Sequence, residues 1–208
     1  MPTYKLRYFQ FRGRVEPLRM MFAFAKVPYE EDLITMDNWP NHKAEQPFGS
    51  LPVLYVDGKV LCQSNAISRF VAHNLGLTGS NRWEGSQIDM YIDGYVDFMT
   101  NVAESLAPAL MIGDQQKAQE IYDTKYEGTV LPFLNRYERF LAENDGTWFV
   151  GSKVSWADFA VAEILQRLGE LFHHTLLDNH RLLRSHRDRV FALPGVKEYV
   201  ARRPQTTF

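Results

Sequence analysis

Leu51-Pro52 and Gln63-Ser64 bracket an apolar hairpin, SLPVLYVDGKVLCQS over residues 50–64, and both pairs are of types that can hold a polar ligand. Proline cannot donate to a strand ladder. At the first residue of a strand it therefore leaves the Leu51 backbone outside that ladder, able to pair with an extended ligand, and X-Pro is the bond type that is readily cis. Gln63 and Ser64 end the second strand and open a helix, where free N–H groups and the positive end of the dipole favour an anion such as a carboxylate. The plainer alternatives are an edge-strand proline and a serine N-cap. A third position of interest is Tyr8, which closes the first strand just before an RGR turn. A phenol there can face a cleft, with Arg14 at the following helix start adding positive potential; a half-buried strand tyrosine is the plainer alternative.

The elements that must position these residues follow from the hydrophobic period. Residues 3–9 alternate like a strand, and RVEPLRMMFAFAK from Arg14 has helical spacing with Pro17 in its first turn. Pro28 stops that helix and residues 29–34 read as a second strand. An irregular stretch then carries Trp39 and Lys43 to FGSLP. Asp57-Gly58 between VLYV and KVLC fits a two-residue turn with positive φ, so the next two strands form an antiparallel hairpin. A helix over about 64–75 completes the order β-α-β-β-β-α. After the connector GLTGSNRWEGS everything reads as helix, over roughly 84–110, 115–143, 155–171, 180–192 and 195–202. The expected fold is a small mixed α/β domain, residues 1–77, followed by an all-α domain, residues 83–208, without internal repeats.

Composition narrows the ligand. The chain has 208 residues, 45% of them hydrophobic, enough for a sizeable core. Its 23 Lys plus Arg against 25 Asp plus Glu, a formal charge of −2, favour neither nucleic acid nor an anionic membrane as partner. The longest apolar runs are too short to span a bilayer and the N-terminus lacks a signal-peptide core, so the expected address is the cytosol. One cysteine, Cys62, excludes an intrachain disulfide, a CxxC pair and a cysteine-rich zinc site. The six histidines show no metal-ligand spacing, so no metal is expected. Ser155-x-x-Asp158 ahead of an apolar run is a helix-capping motif. Asp89, Asp93 and Asp97 recur every four residues, placing like charges on one helix face at about 0.2–0.5 kcal/mol per adjacent pair.

Taken in order, YKLRYF with RGR, DNWP with Lys43, FGSLPVL, QSNAI, DFM with Asp97, SWADF and the tail RRPQT resemble the glutathione transferases, and the sigma class in particular. The motifs span nearly the whole chain. The resemblance implies a thioredoxin-like N-terminal half and glutathione as co-substrate. It implies that the Leu51 backbone, beside a cis Pro52, pairs with the cysteinyl unit. Gln63 and Ser64 would take the γ-glutamyl carboxylate, Trp39 and Lys43 the glycyl carboxylate. Ser50 stands where many relatives carry Lys or Gln, which weakens one glycyl contact. It further implies a homodimer, in which Asp97 reaches the glutamyl ammonium bound by the other subunit; Arg69, in the helix after Ser64, is the candidate partner for Asp93 across that interface.

The implied chemistry is thiol activation. A free cysteine thiol, with a pKa near ~8.5, is only a few per cent thiolate at neutral pH, and thiolate is the nucleophile. A downward shift of about two units is roughly 2.7 kcal/mol, within reach of one phenolic hydrogen bond from Tyr8 plus the Arg14 guanidinium. In the family the second substrate lies between the first βα loop and the helical domain, making Phe9, Phe11, Gly13, Arg14, Met99 and Glu104 lining candidates. Sigma relatives that isomerise prostaglandin H to prostaglandin D carry an acid before DFM and aromatic residues narrowing the pocket. Here Val96, Glu104 or Ser105, and Ala160 stand at those places. The expectation is therefore conjugation of diverse hydrophobic electrophiles. The alternatives are a non-catalytic carrier of ligands such as haem and a prostaglandin isomerase. A thioredoxin-type oxidoreductase is disfavoured because FQFRGR has no cysteine.

Overall fold

A computed structural model describes residues 2–206. The chain forms two compact units: residues up to Gly76 together with Leu193–Thr206, and Leu77–Ala192. The first contains β1 (Tyr4–Phe9), a 3-10 turn (Gly13–Val15), α1 (Glu16–Ala25), β2 (Glu30–Ile34), α2 (Trp39–Lys43), β3 (Val53–Val56), β4 (Lys59–Cys62) and α3 (Ser64–Asn74). The second contains α4 (Arg82–Phe98), α5 (Glu104–Met111), α6 (Gln115–Lys125), α7 (Leu131–Glu143), α8 (Trp156–Leu171) and α9 (Arg181–Ala192), and α10 (Val196–Arg202) then returns to the first. This is a thioredoxin-like domain with a four-stranded mixed sheet, followed by a helical domain.

The sheet order is β2-β1-β3-β4, with β1 and β2 parallel and the other neighbours antiparallel. The period-2 alternation of β1 buries Tyr4, Leu6 and Tyr8 on one face and leaves Lys5, Arg7 and Phe9 half-exposed on the other. Asp57 and Gly58 form the hairpin turn with φ of 49° and 80°, and the Asp57 carboxylate accepts from the Thr3 N–H and hydroxyl at 2.8 and 2.9 Å. Pro17 sits in the first turn of α1, as its missing N–H permits. The helix ends earlier than Pro28, at Lys26, whose left-handed backbone (φ 55°) returns its N–H to the carbonyls of Phe22 and Ala23. The stretch before the hairpin, expected to be irregular, winds into the short helix α2, with Pro40 in its first turn.

α10 packs on α1, so Leu193–Thr206 group in space with the first unit although they follow the helical one in the chain. Gly195 is what permits this. Its φ is +85°, and a Cβ there would lie 2.2 Å from the Ala23 carbonyl oxygen, a distance no side chain tolerates.

The helical unit departs from the sequence reading at two places. Residues 84–110 and 115–143 are not continuous α-helices: each carries a five-residue π turn, at Met99–Ala103 and Tyr126–Val130. Both precede a proline, Pro108 inside α5 and Pro132 in the first turn of α7. A proline lacks the N–H that would continue the ladder, and the upstream backbone rewinds to accommodate it. α8 is the core helix: Phe159, Val161, Ala162 and Leu165 are fully buried. Its start is held by Asp158, which accepts from the Ser155 N–H and hydroxyl at 2.7 Å each and from the Phe149 N–H at 3.0 Å. The expected cap is present, with an added partner, His186 Nε2 at 2.8 Å. Among the described residues, no helix is long and apolar enough to cross a membrane, and no cluster of His, Cys, Asp and Glu could hold a metal ion.

Candidate active site

The C-terminal end of β1 places Tyr8 on the core side of the sheet, opposite Leu33 of β2 and 4% exposed. The chain then reverses through Phe11, Arg12 and Gly13, and the backbone N–H of Arg14 donates to the Tyr8 hydroxyl oxygen at 3.1 Å. That approach needs glycine at position 13. Gly13 has φ +47°, and a Cβ on it would lie 2.4 Å from the Tyr8 oxygen and 3.0 Å from the Tyr8 and Phe11 rings. The phenol is thus held by the loop that follows its own strand, while the Arg14 side chain stays exposed.

Arg14 also lines a cavity of about 300 Å³ with Ser50, Leu51, Pro52, Gln63 and Ser64. The Leu51-Pro52 peptide bond is cis. Gln63 occupies the cap position of α3 with φ 71° and makes no side-chain capping bond, so the serine N-cap alternative is not what the structure shows; Ser64 is the first helical residue. The first-turn N–H groups of an eleven-residue helix and the positive end of its dipole therefore belong to the rim of this cavity. The hairpin brings both bracketing pairs to one place because the register sets Val53 opposite Cys62.

Trp39 and Lys43 do not line that cavity. They lie on α2, where Trp39 meets Phe9 edge-on at 5.5 Å and the Lys43 stem runs past Gly49. Phe9 in turn stacks on Phe11 at 5.2 Å, and Phe11 meets the Tyr8 ring at 5.6 Å. An aromatic row, Trp39-Phe9-Phe11-Tyr8, thus runs along the end of the sheet, a continuity that no spacing in the sequence announced.

Asp97, Met99 and Glu104 belong to the helical unit. Asp97 and Asp93 sit on the exposed face of α4, opposite the buried Ile88, Tyr91, Ile92, Tyr95 and Phe98, whereas Met99 is buried and Glu104 is exposed. Cys62 is half-buried and burial pushes its thiol pKa up, which lowers its reactivity at neutral pH.

Behind Tyr8 lies a charged group that sequence reasoning missed. Arg19, 6% exposed on α1, donates to the Phe11 carbonyl at 2.9 Å and to Glu31 at 2.6 Å, and its guanidinium carbon lies 6.0 Å from the Tyr8 ring centre. Burial opposes its charge, but Glu31, Tyr199 and Glu16 outweigh that and raise its pKa. The available signal was the Glu16-Arg19 spacing of three on α1, which reads equally well as a surface pair.

Comparisons with known proteins bear on the family and the fold. Residues 4–73 match the glutathione S-transferase N-terminal domain family and residues 100–203 the C-terminal domain family. The chain is 35% identical to glutathione S-transferase 1 of Ascaris suum, with each chain covered in full, and 35% identical to hematopoietic prostaglandin D synthase of Homo sapiens, with 99% of each covered. It is also similar to a solved structure described as monomeric Na-GST-3 from the hookworm Necator americanus, at TM-score 0.90 and 33% identity, covering 99% of this chain and all of that one. Full-length likeness of this degree, on the fold just described, makes the chain a member of the glutathione S-transferase family, on its sigma-like branch.

Proposed function

We propose that the protein is a glutathione transferase that conjugates the glutathione thiolate to hydrophobic electrophiles. The observation that carries this reading is the Arg14 N–H bond to the Tyr8 hydroxyl, made beside the cavity that Arg14 shares with Leu51, Pro52, Gln63 and Ser64. In this reading the cysteinyl unit pairs with the Leu51 backbone, and the γ-glutamyl carboxylate lies at the start of α3 against Gln63 and Ser64. Trp39 and Lys43 take the glycyl carboxylate. Tyr8 then donates its phenolic proton in a hydrogen bond to sulfur. The thiol proton leaves to solvent, the sulfur lone pair forms the new bond to the electrophilic carbon, and the leaving group departs with its bonding electrons.

A preorganised donor in a partly dry site favours S⁻ over SH, and a hydrogen bond to a charged acceptor is worth about 1.5–3 kcal/mol. Tyr8→Phe is therefore expected to lower conjugation of a chloronitrobenzene by about 10- to 100-fold while the variant still binds glutathione-agarose. Unaltered turnover would remove Tyr8 from this role. Phe9, Phe11, Gly13 and Arg14, at the end of β1 and in the loop that follows it, are the proposed lining for the electrophile.

The similarity to a human prostaglandin D synthase favours one second reading, isomerisation of prostaglandin H to prostaglandin D. Product analysis on that endoperoxide separates it from conjugation. Ligand binding without turnover on either substrate would instead indicate a carrier, of haem for example. The proposed location is the cytosol.

A further inference from the structure

Arg19 is an expensive residue to bury. A guanidinium taken out of water costs several kcal/mol and is repaid only where its geometry is satisfied, so a buried arginine is weak support for stability as such. What distinguishes Arg19 is where its bonds converge. Nη1 donates to the carbonyls of Phe11, at 2.9 Å, and Arg12, at 3.5 Å, the last two residues before Gly13. Nε is fixed by Glu31 of β2 at 2.6 Å, and Nη1 also faces Glu16 at 3.5 Å. The plane of charge lies against the Tyr8 ring, within the range of a cation–π contact.

The tail locks this arrangement from behind. Glu16 is fully buried and accepts from the Tyr199 hydroxyl at 3.0 Å to each oxygen and from Arg203 at 2.7 Å. Arg12 donates to the Thr206 carbonyl at 3.1 Å. The RRPQT motif therefore bonds to the first turn of α1 and to the loop before it.

We propose that Arg19 is a positioning residue for thiol activation: it clamps the Phe11 and Arg12 carbonyls and supports the Tyr8 ring, so that the Arg14 N–H and the Tyr8 hydroxyl keep the geometry in which the phenol donates to sulfur. This rests on the assignment of Tyr8 as the thiolate donor. A cation at the ring also withdraws electron density from the phenol and strengthens its O–H as a donor. Lysine keeps the charge but not the planar fork that reaches two carbonyls and a carboxylate together.

The test is the ultraviolet absorbance of the thiolate in the glutathione complex, followed against pH. Arg19→Gln is expected to raise the midpoint of thiol ionisation by about one unit, which lowers kcat about tenfold below that midpoint, with the KM for glutathione within about twofold. Arg19→Lys should recover part of the shift. A folded Arg19→Gln protein with an unmoved midpoint overturns the proposal, because a residue needed only for packing would change stability and leave the ionisation alone. If Arg19→Gln does not fold, Glu31→Ala decides: it removes the acceptor that fixes Nε, on a partly exposed side chain whose other contact is the Tyr29 hydroxyl at 3.5 Å, and the same midpoint must rise for the proposal to stand. Tyr8→Phe, measured alongside, separates the two ideas. An unmoved midpoint there defeats the Tyr8 assignment itself, whereas a midpoint moved by Tyr8→Phe and untouched by Arg19→Gln defeats only the role of Arg19.

Discussion

Gly13 and Tyr8 are coupled through a space smaller than a methyl group. A Cβ on residue 13 would lie 2.4 Å from the Tyr8 oxygen, and the backbone there holds φ +47°, which residues other than glycine rarely adopt. Gly13→Ala therefore has to displace the phenol, the loop or both. We expect it to destabilise the protein by about 1–3 kcal/mol through overpacking and strain, and to lower the conjugation rate at least tenfold, since the Arg14 N–H contact depends on the same turn. Urea denaturation and turnover of a chloronitrobenzene check both parts. An active, fully stable alanine variant would mean the loop has a second arrangement that serves equally well. The residue types Tyr8, Gly13 and Arg14 stand in the sequence for anyone to see, but their contact does not: it arises from a loop reversal fixed by carbonyl bonds to Arg19, a residue five positions further on.

At the scale of elements, the start of α8 shows how a local motif gains weight from its surroundings. Ser155-x-x-Asp158 is legible as a cap, and a lost cap costs on the order of 1–2 kcal/mol. In the folded chain the Asp158 carboxylate is fully buried, and besides Ser155 it takes the Phe149 N–H and His186. Asp158→Ala would leave those donors buried without an acceptor, so the expected loss is about 3–5 kcal/mol, well beyond a cap alone. Thermal or urea unfolding of the variant measures it, and a loss near 1 kcal/mol would show that the two added partners find other acceptors. The π turns ahead of Pro108 and Pro132 illustrate the opposite case. Read for helical segments, the sequence shows one passing through, and only the hydrogen-bond ladder registers the wider turn.

For the molecule as a whole, the proposed assembly is a homodimer in which α4 presents Asp93 and Asp97 to a second copy, with Arg69 of α3 facing Asp93. Each unit separately carries exposed apolar side chains suited to such a contact: Phe48, Val60 and Phe70 in the first, Trp83 and Met90 in the second. The similar hookworm protein described as monomeric makes this a real choice between states. Light scattering is expected to give twice the chain mass, with Asp93→Lys shifting the molecule toward monomer. A fully active monomer at catalytic concentrations would refute both the dimer and the delivery of Asp97 from a neighbour.

The sequence by itself determined the element order, the hairpin with its Asp57-Gly58 turn, the two bracketing pairs at Leu51-Pro52 and Gln63-Ser64, and the capping of α8. All of these are set by neighbours within a few residues or by the period of burial, which the chain carries in one dimension. Only the tertiary structure decided that α10 returns to the first unit, that Arg19 and Glu16 form a buried charged group behind Tyr8, and that Trp39, Phe9, Phe11 and Tyr8 make one aromatic row. Those contacts join residues distant along the chain, and nothing in local propensity distinguishes an arginine that will be solvated from one whose hydrogen bonds will be satisfied in the interior.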